Sequence, residues 1–298
     1  MIKLEVPATS ANLGPGFDSL GVALNIFNYI SVEEIDGGLK IEIKGEGSNE
    51  LAHDESNLTY QAMAQVFQLL NYKPRGIRLI QVNNIPLSRG LGSSAAAIVG
   101  GMVAANKICG DALSLDEILE LATKMEGHPD NVAPALLGGI IIADKSDNKI
   151  NWIKINPPQK LMAVITIPDF TLSTELARNV LPKTVPFKDA VFNVGKTALL
   201  VSALCTGQYD KLKYALTDVL HQPYRKKLIP GINNVFEAAK KAGALGSVIS
   251  GAGPSILTLT FDNEEIIKEM VEKAFKEAGV ECRTIVVPLI NRGVTVCS

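Results

Sequence analysis

The chain has 298 residues, 47% hydrophobic and 20% charged, with a net charge of −2, which gives enough apolar material for a large core and room for two domains. No basic run exceeds Arg225-Lys226-Lys227, so there is no electrostatic footprint for nucleic acid or a membrane surface. Four cysteines without a C-x-x-C pair and three histidines argue against a disulfide framework or a zinc site. The opening MIKLEVPATS lacks the charged-then-apolar order of an export signal, and no apolar run reaches membrane length, so a cytoplasmic location is expected.

In chain order, 2–6 and 30–34 read as strands, and LKIEIK at 39–44 alternates cleanly. Leu58, Ala62, Val66, Leu69 and Leu70 recur at helical spacing across 57–70, with Ser56 or Asn57 as the cap. A strand at 76–82 then leads into PLSRGLGSSAAA at 86–97. Ser114 followed by Glu117 is a capping-box pattern for a helix through Met125, and GGIIIA at 138–143 reads as a buried strand. Pro157-Pro158 marks a boundary between domains 1–156 and 157–298. Beyond it a strand is expected at 161–167, helices at 187–206 and 208–220, and strand, helix and strand at 246–250, 263–278 and 283–287. Hairpin-like alternation among these elements favours an α+β fold over a doubly wound sheet.

The segment PLSRGLGSSAAA has the chemistry of a phosphate-holding loop. Gly90 and Gly92 permit a backbone that brings amides close to a ligand. Ser93 or Ser94 at a helix cap, followed by Ala95, Ala96 and Ala97, aims the unpaired N–H groups and positive dipole end of a helix at that loop. Other readings exist for these residues alone. Gly90-Leu-Gly-Ser-Ser-Ala95 fits a dinucleotide fingerprint, but Asp111, at the required distance, lies in a turn before a capped helix rather than at a strand end. A Walker loop is absent, since Ala190 stands where Gly195-Lys-Thr197 would need its first glycine. A plain strand-to-helix turn remains open on this segment alone.

Two further loops lie beside apolar segments, VPATSANLGPGFD at 6–18 and ISGAGPSIL at 249–257. With the central loop they resemble, in order, the three motifs of the GHMP kinase superfamily. GHPDNVAPALLGG at 127–139, STELARNVLP at 173–182 and PYRKKLIPG at 223–231 resemble its homoserine kinase branch, and the resemblance spans nearly the whole chain. It implies an N-terminal domain like ribosomal protein S5 domain 2, a ferredoxin-like C-terminal domain, and a cytoplasmic homodimer acting with ATP and Mg²⁺ in threonine biosynthesis.

The resemblance also implies roles for individual residues. Pro86, Leu87, Ser88, Arg89, Gly90, Leu91, Gly92, Ser93, Ser94, Ala95 and Ala96 are expected to bind the nucleotide phosphates, and Asn57 to lie near adenine or to cap its helix. Ser94 and Glu126 are the candidate metal ligands, a hydroxyl and a carboxylate of the kind Mg²⁺ takes from a protein. For an amino-acid substrate, Arg178 and Arg225 suit a carboxylate, Asn12 and Asp18 match residues that meet an ammonium, and His128, Thr174, Gly251 and Gly253 complete the pocket. Asp130 falls where relatives carry a catalytic aspartate, whereas Asn131 and Arg178 can orient the attacking hydroxyl, and orientation is the favoured reading. Another kinase of the superfamily, of the mevalonate or diphosphocytidyl-methylerythritol type, or a non-catalytic regulator, are the alternatives. The paired arginines oppose the first and the intact loop residues the second.

Overall fold

A computed structural model describes residues 1–146 and 149–297. Its first sheet contains β1 (Ile2–Ala11), β2 (Leu20–Glu34), β3 (Gly38–Gly45), β4 (Gly76–Asn83), β5 (Ile140–Ser146) and β6 (Lys149–Ile155). Within it β2 is the organiser, pairing β1 along one edge and, on the other, β4 through Tyr29–Glu34 and β5 through Leu20–Val22. A register shift opposite Pro7/Ala8 separates these halves; proline supplies no ladder donor, so it sits where the pairing is already interrupted.

Helices α1 (Leu58–Leu69), α2 (Ser93–Ile108), α3 (Leu115–Glu126) and α4 (Pro129–Leu137) accompany this sheet. α2 is central, packing on α1, α3, α4 and both leading strands. That explains its Ala- and Gly-rich composition, because a helix covered on most sides cannot show a polar stripe. The second sheet runs β10 (Cys282–Pro288), β7 (Met162–Pro168), β9 (Ile256–Thr260), β8 (Gly246–Ile249), all antiparallel. α9 (Ile232–Lys241) and α10 (Glu264–Glu277) cover it through Val235, Ala239, Ile267, Val271 and Phe275. The 156/157 division falls in the passage between the sheets, and β11 (Thr295–Cys297) returns to pair with β1.

The expected strands and most long helices form. α4, α5 (Thr174–Asn179), α9, β6 and β9 have no counterpart in the sequence reading. The expected helix over 208–220 is corrected: a short 3₁₀ turn and α7 (Leu212–Ala215) occupy its start, after α6 (Phe187–Thr206). Asp218 then accepts from the backbone N–H groups of Leu220, His221 and Gln222. Those bonds begin α8 (Gln222–Arg225) instead of extending α7, the usual competition of a short acidic side chain with helix continuation.

Candidate active site

The loop between β4 and α2 is held from behind. Its successive carbonyls at Ser88, Arg89, Gly90 and Leu91 accept from Leu172 N, Ser255 N, Ser250 Oγ and Thr9 N. Among the described residues, the amides of 90–95 donate to no protein acceptor. Acceptors are thus tied back while donors stay free at a helix N-terminus, the arrangement that suits phosphate oxygens. Gly92, with φ of 72°, is itself the N-cap of α2, which corrects the expected serine cap; Ser93 and Ser94 are the first helical residues and their hydroxyls are left for other work. A Cβ on Gly92 would fall 1.9 Å from Thr9 Oγ1, and one on Gly90 2.1 Å from Ser250 O.

Ser94 uses its hydroxyl to donate to Glu126 Oε2 at 2.7 Å. Glu126 ends α3, so a residue from a different helix meets the start of α2 at one point. A neutral hydroxyl and a carboxylate this close, beside unpaired amides, fit the one or two protein oxygens that Mg²⁺ takes while keeping its waters.

The other end of the pocket is made of side chains. Arg178, on α5, forks onto both oxygens of Asp18 at 2.7 and 3.1 Å; burial opposes its charge, and the Asp18 carboxylate outweighs that and strengthens it. Asn12 accepts from Asp18 N and donates to Gly251 O. Arg225 is only 2% exposed, and its Nε and one terminal nitrogen donate to Ala177 O and Gly251 O. Burial, and then Arg178, lower its pKa to about 10, so it stays cationic at neutral pH. Both guanidiniums lie over Phe17, at 5.6 and 5.2 Å from the ring centroid, where the negative ring face offsets two nearby positive charges.

α4 begins at Pro129 with His128 as its N-cap, and its first turn carries Asp130 and Asn131 to the pocket floor. His128 Nδ1 lies 2.7 Å from Asp130 Oδ1. Burial works against the imidazolium, but the Asp130 carboxylate outweighs it and raises the His128 pKa. Thr9 Oγ1 donates to Asn131 Oδ1 at 2.8 Å, which fixes the amide with its NH₂ toward Asp130 and the pocket. Asp18, His128 and Asp130 also come within 4.8 Å of one another. Arg178 already forks onto Asp18, so that cluster suits an ammonium better than a metal ion placed beside a guanidinium.

Most of the expected residues meet in one cavity of about 150 Å³, lined by Asn12, Asp18, Pro86, Ser88 to Ser94, Glu126, His128, Asp130, Asn131, Thr174, Arg178, Arg225 and Gly251. Leu87 instead lines a neighbouring cavity of about 320 Å³, which shares Ser88, Ser93 and Ser94 with the first. Ala95 and Ala96 are fully buried in the core and can act only through their backbone. Gly253 lies against Gly90, Ile249 and Ile229 and does not line this cavity. Asn57 lines the second cavity, yet its carbonyl accepts from Thr59 N and Tyr60 N and its NH₂ donates to Ala52 O and Gln81 Oε1. Its amide is thus engaged as the cap of α1 and in bonds to Ala52 and Gln81, the capping alternative open for this residue. Thr9, Phe17, Asp218 and His221 were missed, because nothing in their local sequence shows that they stand behind Asn131 and the arginines.

The GHMP kinases N terminal domain matches residues 57–139 and the GHMP kinases C terminal matches 200–277. Over its whole length the chain is 49% identical to a homoserine kinase of Caldicellulosiruptor bescii, covering 97% of that protein. It superposes on a crystal structure of homoserine kinase from Cytophaga hutchinsonii with a TM-score of 0.91 and 32% identity, covering 99% of this chain and 97% of the other. A mevalonate kinase of L. major crystallised with R-mevalonate shares the fold at a TM-score of 0.73 with 16% identity, covering 96% of each chain. With unpaired amides at one end of its pocket, paired arginines at the other and full-length identity of this order, the chain belongs to the homoserine kinase family of the GHMP kinases.

Proposed function

We propose that the protein transfers the γ-phosphoryl group of ATP to the side-chain hydroxyl of L-homoserine, giving O-phospho-L-homoserine and ADP on the way to threonine. The observation that carries this reading is the convergence of Arg178, Arg225, Asp18 and Asn12 with the free amides of 90–95 in one cavity. The arginines suit the carboxylate, Asp18 and Asn12 the ammonium, and the amides the phosphates. Ser94 and Glu126 would hold Mg²⁺, which neutralises phosphate charge as transfer proceeds. Cytoplasmic location and a homodimer belong to the same reading, the latter testable by the mass of the protein in solution.

Asn131, held by Thr9, and Arg178 orient the hydroxyl. Asp130 is engaged by His128 and Asn131, so its first duty is to hold these two in place. In a loose transition state the attacking hydroxyl keeps its proton until late, and orientation with charge stabilisation accounts for most of the rate. Asp130→Asn is therefore expected to retain turnover within about 100-fold of wild type, whereas a general base would account for about 10²–10⁴-fold.

A coupled ADP-release assay with Mg-ATP and L-homoserine, mevalonate, galactose or shikimate tests the substrate. Turnover with L-homoserine alone is expected. Preference for another alcohol would replace the substrate assignment, and inactivity on all four would favour a ligand-binding regulator.

A further inference from the structure

His221 is completely buried behind Arg225, and the phosphoryl-transfer reading gives it no task. Its Nε2 lies 2.8 Å from the carbonyl oxygen of Gly14. A carbonyl only accepts, so Nε2 carries the proton and Nδ1 of the neutral ring carries a lone pair. That lone pair faces Arg225, whose terminal nitrogen lies 3.4 Å away. The ring stacks on Phe17 with centroids 5.0 Å apart, the same ring that lies under both guanidiniums. Asp218, also buried, fixes the backbone at His221 and Gln222.

We infer that His221, as the neutral Nε2–H tautomer, is a positioning residue that accepts from Arg225 and aims the remaining guanidinium donors at the substrate carboxylate, so that it governs amino-acid affinity rather than turnover. Arg225 Nε and one terminal nitrogen are spent on Ala177, Gly251 and His221, leaving the other terminal nitrogen without a protein acceptor among the described residues. This gives the pocket a fixed cationic prong in place of a swinging one, which saves the ordering cost when the carboxylate binds. A second proton on His221 would set an N–H against the guanidinium, and burial, with Arg225, lowers the His221 pKa against the opposing Asp218 carboxylate, whose Oδ2 lies 3.5 Å from Nε2. Gly14, which accepts the ring proton, belongs to the loop that also carries Asp18, so one imidazole braces the carboxylate side and the ammonium side of the pocket together.

The inference rests on Arg225 meeting the carboxylate of the proposed amino-acid substrate. Replacing His221 by Phe keeps the ring on Phe17 and removes both nitrogens. The expected result is a rise of about 10- to 30-fold in KM for L-homoserine, with kcat and KM for ATP changed by less than about threefold. His221→Asn, which returns an acceptor near the Nδ1 position, is expected to recover most of the loss. In an Arg225→Ala background His221→Phe should add little, since the group it aims is gone. ¹⁵N spectra of the unmodified protein, which need no variant to fold, should show Nε2 protonated and Nδ1 bare at neutral pH. An Nδ1–H ring, or an equal loss with and without Arg225, would overturn the inference. An unmodified protein inactive on L-homoserine would instead overturn the substrate assignment, leaving the tautomer to be read from the spectra.

Discussion

At the end of the pocket proposed for phosphate the open groups are backbone amides of one continuous segment, 90–95, and the carbonyls of 88–91 are tied back by Leu172, Ser255, Ser250 and Thr9. At the other end, proposed for the amino acid, they are side chains of Asn12, Asp18, Arg178 and Arg225, drawn from three separate stretches and held by one another and by the carbonyl of Gly251. The first end is generic to anions and depends on glycine geometry; the second is particular to a zwitterion and depends on tertiary packing. Substitutions at the two ends should therefore fail differently.

The largest effect is expected for Arg178→Ala, which removes a cation and strands the Asp18 carboxylate. Its kcat/KM for L-homoserine should fall on the order of 10³-fold while KM for ATP changes less than about twofold. A matching rise in KM for ATP would erase the distinction between the two ends. Gly92→Ala comes next, since it combines a φ of 72° with a Cβ 1.9 Å from Thr9 Oγ1. Misplaced amides should lower kcat by about 10²-fold without preference for either substrate; a selective effect on L-homoserine would mean that the loop serves the wrong end.

Asn57→Ala is expected to cost about 1 kcal/mol of stability, the usual value of a lost helix cap, measured by denaturant titration. KM for ATP should hold, and a tenfold rise at unchanged stability would restore a part for this amide in adenine binding. The smallest effect concerns His128. Its pKa is raised above 6.5 in the folded protein, so its pairing with Asp130 stabilises the fold fully below the unfolded value and loses that contribution as pH climbs through the folded value. The melting temperature of the unmodified protein should decline slightly over that window relative to Asp130→Asn. Parallel curves for the two proteins would show that the pair contributes nothing.

Local signals made much of this legible. The Ser114 and Glu117 capping box forms as its spacing requires, and PLSRGLGSSAAA leads from a strand into a helix. α4 stayed hidden because eight of its nine residues are buried, so no polar face marks the 3.6-residue period, and Pro134 within it reads as a breaker. β9 was missed for the same reason, being buried at every position. The 208–220 stretch went the other way: it reads as helical until Asp218 turns back onto the amides that follow it.

By itself the sequence determined a glycine-bearing turn from a strand into a helix start, because two left-handed glycines and a helix start are local properties of adjacent residues. It also supplied the arginines, carboxylates and amide of the pocket as residue types within recognisable segments. Only the tertiary structure decided which bonds those side chains have already spent. Asn57 is engaged by its own helix, by Ala52 and by Gln81 across the fold, Thr9 sets the direction of the Asn131 amide, and His221 lies against Arg225, since hydrogen-bond satisfaction depends on neighbours that can be distant in the chain and adjacent in the fold.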